Sequence, residues 1–145
     1  MGRRRKPHSA PFTDTIAKQV CSPAMAQKLK EVGVPQDSIW YWVASSRGKY
    51  PLLFTAEEIA EMPLFRMVAV SAFTVGELGD LLPSSIEQND EVLRLLCEKS
   101  SRGFTVAYVL ARGEKQNRIE RKASSEAEAR AQMLLSLIEN NLYTP

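Results

Sequence analysis

The side chains of this 145-residue chain best suited to covalent chemistry are few: one histidine, His8, and two cysteines, Cys21 and Cys97. Nucleophilic catalysis needs a thiol or hydroxyl, a base to activate it and donors for the charge that develops. His8 stands in a polar stretch interrupted by Pro7 and Pro11, where no folded element is expected to hold it against a nucleophile. Cys21 comes just before an expected helix start, where the helix dipole could lower a thiol pKa, although a small apolar residue packed at that place would read the same way. The cysteines are 76 residues apart, and with a single histidine they match no metal-ligand spacing. Glu57, Glu58 and Glu61 cluster as a solvated helix face would. No glycine-rich phosphate loop or nucleophile elbow occurs. The expectation is a protein that is not an enzyme and needs neither metal nor cofactor.

Binding chemistry has more to draw on. In the run Ser38 to Val43, alternation along a strand puts Trp40 and Trp42 on one face and Ile39, Tyr41 and Val43 on the other. If the second set meets the helices, two indoles lie on an open sheet face, where they could stack on a nucleobase or anchor a partner protein. If the first set does, the indoles are core and Tyr41 lies outside. Arg47, Lys49, Arg94, Arg102 and Arg118, on or beside expected strands, could supply phosphate contacts to a nucleotide bound at the indoles, or simply solubilise the surface. Arg3, Arg4, Arg5 and Lys6 form a basic cluster suited to non-specific contact with nucleic acid, or to a solvated tail.

Charge is divided unevenly. Residues 1 to 20 hold five basic side chains against Asp14, a net of +4, while the remaining 125 hold 14 basic and 16 acidic, a net of −2. The folded part is therefore not basic, and any nucleic-acid face rests chiefly on the arm. With 44% hydrophobic and 25% charged residues, the composition is that of a globular protein of cytoplasmic type. No cysteine framework staples it, and no apolar run has the length of a bilayer span or a secretory signal. No membrane partner is expected, and a homo-oligomer is compatible with the pattern.

These residues must be positioned by an α+β fold: an antiparallel sheet with helices, notably the C-terminal one, packed on one face. Residues 1–18 read as a disordered basic arm and 19–145 as a single domain. Ser22 and Pro23 start a helix with Met25, Leu29 and Val32 on one side, and Gly33 stops it. Strands are expected at 38–43 and 50–54, joined by a turn at Ser45 to Gly48, and a further strand at Phe65 to Val70. Thr55 with Glu58, and Thr74 with Glu77, read as capping boxes of short helices, the first ended by Pro63. Pro83 to Asp90 reads as loop. Strands follow at 92–98, 104–111 and 116–121, antiparallel because their turns are short. Ser125 and Glu128 read as a third capping box, opening a helix whose stripe is Ala127, Ala131, Leu134, Leu135, Ile138 and Leu142.

Three segments carry a resemblance: Gln19 to Ser22 with Gln27 to Val34 and Gln36 to Trp42; Ser71 to Gly79 with Leu82 and Pro83; and Glu126 to Ala131 with Ile138 to Leu142. In that order they resemble a family of small uncharacterised proteins of phages, prophages and their bacterial hosts, over about Gln19 to Pro145. The family carries no assigned chemistry, so the resemblance implies a setting and no site residue. It implies an accessory protein acting on a host molecule: a binding module for a host protein or small ligand, or alternatively one that sequesters a nucleotide signal as an anti-defence protein. Nucleic-acid binding through the arm is a further alternative.

Overall fold

Helix starts in this chain are set by side-chain caps. The computed structural model describes residues 15–44, 51–110 and 118–145. The Ser22 hydroxyl accepts from the Met25 N–H at 3.2 Å, and Pro23 occupies the first turn of α1 (Pro23–Glu31). Gly33, at φ +90°, closes that helix in the left-handed conformation a side chain would resist. Thr55 caps α2 (Ala56–Ala60), and Pro63 opens α3 (Pro63–Arg66). Thr74 and Glu77 make a complete capping box on α4 (Val75–Leu81). Ser125 caps α5 (Glu126–Glu139).

The strands form two antiparallel sheets. β1 (Trp40–Val43) lies between β2 (Leu52–Thr55) and the two-residue β3 (Val70–Ser71). The second sheet runs in simple order through β4 (Ser85–Gln88), β5 (Glu91–Ser100), β6 (Gly103–Leu110) and β7 (Ile119–Ala123). The α+β class with the C-terminal helix on a sheet is as the sequence implies, with its strands divided between two sheets.

Contacts stack these elements in layers. α5 packs on β6 and β7 from one side and receives α1 and α4 on the other; α1 in turn meets β3, and α2 meets β1 and β2. One core cluster runs through the stack from Val106 and Tyr108 of β6, past Met133, Leu134 and Leu137 of α5, to Leu29 of α1 and Trp42 of β1. Because α5 is covered from two sides, Ala129, Met133, Ser136 and Leu137 are buried along with Ala127, Ala131, Leu134 and Leu135, while Ile138 and Leu142 are half-buried. Its burial is therefore wider than a single stripe. The Tyr108 hydroxyl, deep in this core, donates to the Pro83 carbonyl at 2.6 Å.

Several local expectations are corrected. Phe65 to Val70 is not a strand: Pro63 begins a helical turn instead of only ending one, because a proline needs no N–H at the first helical position, and the strand is confined to Val70–Ser71. The stretch Pro83 to Asp90 contains β4, joined to β5 by Asn89 and Asp90, both at positive φ as a two-residue hairpin turn requires. Glu128 does not close a capping box on Ser125. Its carboxylate instead accepts from the backbone N–H and hydroxyl of Ser22 at 2.8 and 2.9 Å, bridging the starts of α5 and α1. Residues 15–17 make a helical turn and Ala17 packs on the core, so ordered structure begins inside the segment assigned to the arm. The expected turn at Ser45 to Gly48 lies outside the described residues, as do residues 111–117, which include the start of the strand expected at 116–121.

Burying the apolar side chains of α5 contributes on the order of 10 kcal/mol gross before chain entropy is subtracted. Leu134→Asp puts an unpaired carboxylate at the centre of that layer, so urea melts of the variant are expected to lose their cooperative transition. A sigmoidal melt with an unchanged midpoint would show that α5 is not docked.

Candidate functional site

The alternation of β1 settles which aromatic faces what. Trp42 is buried in the main core, its Nε1 donating to the Cys21 carbonyl at 2.9 Å, and the half-buried Trp40 packs against the same cluster. The expectation of two indoles on an open sheet face is corrected: helix α1 and the chain leading into it cover that side. Tyr41 and Val43 therefore face the other way, where Val43, Ile59 and Ala69 make a second, smaller core flanked by Tyr41 and Phe54.

The expected arginines do not join the tryptophans. Strand register puts Arg94 of β5 on the face of the second sheet opposite α5, alongside Leu96, Thr105, Ala107 and Glu120. Arg118, next to β7, is ion-paired to Glu120 at 2.5 Å and Glu98 at 3.6 Å. Arg102 lies in the β5–β6 turn, where it lines a surface depression of about 460 Å³ with Phe104 and Lys122, and Lys99 Nζ sits 5.6 Å from the Phe104 ring centre. Arg47 and Lys49, like Arg3, Arg4, Arg5 and Lys6, lie outside the described residues, as does His8.

A cleft of about 400 Å³ opens over β1 on the Tyr41 side, a volume in the range that holds small organic ligands. Tyr41 and Ala69 line it together with Ala56, Ile59 and Ala60 from the α2 segment, Arg66 of α3, Lys30 from the last turn of α1, and Gln36. The tyrosine ring is held in place. Its hydroxyl donates to the Gln36 carbonyl and accepts from the Ser38 N–H, each at 3.3 Å. Gln36 is itself fixed, its Oε1 accepting from the Ser71 N–H at 2.8 Å and its Nε2 donating to the Val34 carbonyl at 3.1 Å. Ser71, opposite Tyr41 in the β1–β3 register, is wholly buried, and its hydroxyl has no partner among the described residues.

The lining contains two cations and no carboxylate, thiol or imidazole. Neither Lys30 nor Arg66 has an ion-pair partner among the described residues. The cleft thus presents positive charge and an anchored aromatic ring. Among the described residues, no group of three or more His, Cys, Asp or Glu side chains is placed to hold a metal ion, and no helix is long and apolar enough to cross a membrane. No protein-family model, curated protein or solved structure matches the chain.

Sequence reasoning missed this constellation. Tyr41 follows from alternation once the tryptophans are placed inside, but Arg66 sits in a segment whose proline signal points to a helix end as readily as to a helix start. Lys30 shows nothing in the sequence to distinguish it from any lysine in a last helical turn.

The thiols have separate fates. Cys21 is buried, and loss of solvent pushes its thiol up to about 12 from an ordinary 9.0, with the nearby Glu128 and Glu77 carboxylates adding to the rise. Cys97 is exposed on β5, and partial desolvation raises its thiol as well. Of the two readings of Cys21, the structure gives the small packed residue, and burial leaves its thiol unactivated. The unfolded chain releases the Cys21 proton from about pH 9 and the folded one only near 12, so the stability held by the neutral thiol is complete below 9 and lost as pH rises toward 12. Aromatic disulfide reagents are expected to titrate Cys97 first in the native protein, and Cys21 only on denaturation, with Cys21→Ala flattening the alkaline loss of stability. Equal, rapid labelling of both thiols would contradict this placement.

Proposed function

We propose that this protein is a non-catalytic binding module of the phage and prophage accessory kind, acting in the cytoplasm, and that its cleft over β1 holds a small anionic ligand of nucleotide size. The observation that carries the reading is the pair of unpaired cations, Lys30 and Arg66, on a cleft that has no carboxylate to oppose them. A phosphate group between an ammonium and a guanidinium gains charge-assisted hydrogen bonds with both. Tyr41 offers its ring to a base, and because its hydroxyl is already anchored, little side-chain entropy is lost on binding. The site thus differs from an indole-and-arginine platform in position but keeps its chemistry: aromatic stacking plus phosphate capture.

A second reading, nucleic-acid contact, draws support from Arg102 and Lys122 on the depression at the β5–β6 end of the second sheet and from Lys99, whose Nζ lies near the Phe104 ring. Lys122 is committed to Glu120 at 3.1 Å, which weakens that surface relative to the cleft.

A thermal-shift series over inorganic phosphate and linear and cyclic nucleotides separates the two. Ligand at about a hundred times its Kd is expected to stabilise the folded chain by about 2.7 kcal/mol, seen as a higher Tm. The double variant Lys30→Ala with Arg66→Ala should lose that rise, while Arg102→Ala should keep it. No rise with any nucleotide, or a rise that survives the double substitution, would overturn the reading.

A further inference from the structure

The edges of the two sheets are protected unequally. In the second sheet, edge strand β4 carries Glu87 and edge strand β7 carries Glu120, Arg121 and Lys122, charges of the kind that discourage edge-to-edge pairing. In the first sheet β3 is only two residues long. The opposite edge, β2, reads Leu52-Leu53-Phe54-Thr55, with no charge, no proline within it, and one side engaged by β1. Among the described residues no strand pairs with its other side.

Beside this edge stands an apolar ridge. Leu64, Met67 and Val68 fall at i, i+3 and i+4 along α3 and the turn that follows it, and they are 83, 81 and 55% exposed, with Leu52 of β2 at 48%. Register and alternation put Leu52 and Phe54 on the Tyr41 face of the sheet, and the Phe65 ring lies 5.9 Å from that of Phe54, so α3 and the exposed Leu52 share one face. Together they show on the order of 500 Å² of apolar side chain, at the upper end of what monomers leave uncovered.

We propose that a second copy of this chain covers this surface, with β2 pairing antiparallel to its own copy across a two-fold axis and the two α3 ridges lying on the same face of the joined sheet. Antiparallel pairing of identical strands satisfies the self-complementarity that a two-fold interface demands. A two-fold axis normal to the sheet keeps each face on its own side, so both ridges come to one surface beside the new strand pair. A stable interface needs about 800 Å² from each partner, and the apolar patch of about 500 Å² supplies more than half of it.

Sedimentation velocity on the full chain over a wide concentration range tests this. The wild type is expected to approach twice the monomer mass as concentration rises. Leu52→Lys, which charges the edge, and Leu64→Glu, which charges the ridge, should each weaken self-association at least about tenfold. Both positions are largely exposed, and unchanged far-ultraviolet circular dichroism and Tm in dilute solution would establish that the variants fold. A wild type that stays monomeric throughout, or a dimer that neither folded variant weakens, would overturn the proposal. Neither residue lines the cleft, so failure of self-association and failure of nucleotide binding are read separately.

Discussion

The hydrogen bond from the Trp42 indole to the Cys21 carbonyl, 2.9 Å long and inside the main core, fixes the orientation of everything around β1. A strand has only two faces, and once this indole is committed to one, Tyr41 and Val43 must take the other. That second face would be an exposed apolar strip if left alone. The excursion between β2 and β3, which forms α2 and α3, covers it with Ile59, Ala69 and the Phe65 ring, but incompletely. The gap that remains over Tyr41 is the cleft. The site is thus a consequence of covering a small sheet with two very short helices, which cannot fill the space a longer helix would.

Two carboxylates hold the surrounding frame. Glu77 accepts from the Thr74 N–H and the Ser38 hydroxyl at 2.9 Å each and from the Ile39 N–H at 3.2 Å, linking the start of α4 to the chain entering β1. Glu128 plays the equivalent part between α5 and α1 through Ser22. In each case a negative side chain lies at a helix N-terminus, where the dipole and free N–H groups favour it, and charge-assisted bonds of this kind contribute more than neutral ones. Through Glu128 the most deeply packed helix positions α1, and α1 brings Lys30 to the cleft. Through Glu77 the loop carrying Gln36 and Ser38 is fastened, and that loop anchors the Tyr41 hydroxyl. The binding surface therefore rests on the core by way of short polar links.

Much of this was legible in the sequence wherever local chemistry and tertiary packing agree. Ser22-Pro23, Thr74 with Glu77, and Gly33 specify helix ends that neighbouring elements do not contest, and the long apolar pattern of α5 survives any arrangement that buries it. Legibility failed where one residue permits two structures. Pro63 suits the end of one helix and the start of the next. Asn89-Asp90 tolerates the left-handed conformation of a tight hairpin but signals it less strongly than an Asn-Gly pair would, so β4 passed for loop. Glu128 is spaced for a local cap yet reaches a partner 106 residues away, which no local pattern discloses. The choice of core face for the tryptophans likewise depended on elements distant in sequence, and with it the position of the site.

The two sheets consequently divide the surface between them. The second sheet carries ion pairs on its outer face and charged residues on both of its edge strands. The first carries the unpaired cations, the anchored tyrosine and the unguarded apolar edge within one small region. The most direct test of that assignment is a nitrogen–proton correlation spectrum of the labelled protein, titrated with a nucleotide. Amide shifts are expected to move at Lys30, Gln36 to Tyr41, Ala56 to Ala60 and Arg66 to Ala69, with the second sheet unchanged. Shifts confined to Arg94, Arg102 and Arg118 and their neighbours, with the Tyr41 region still, would contradict it.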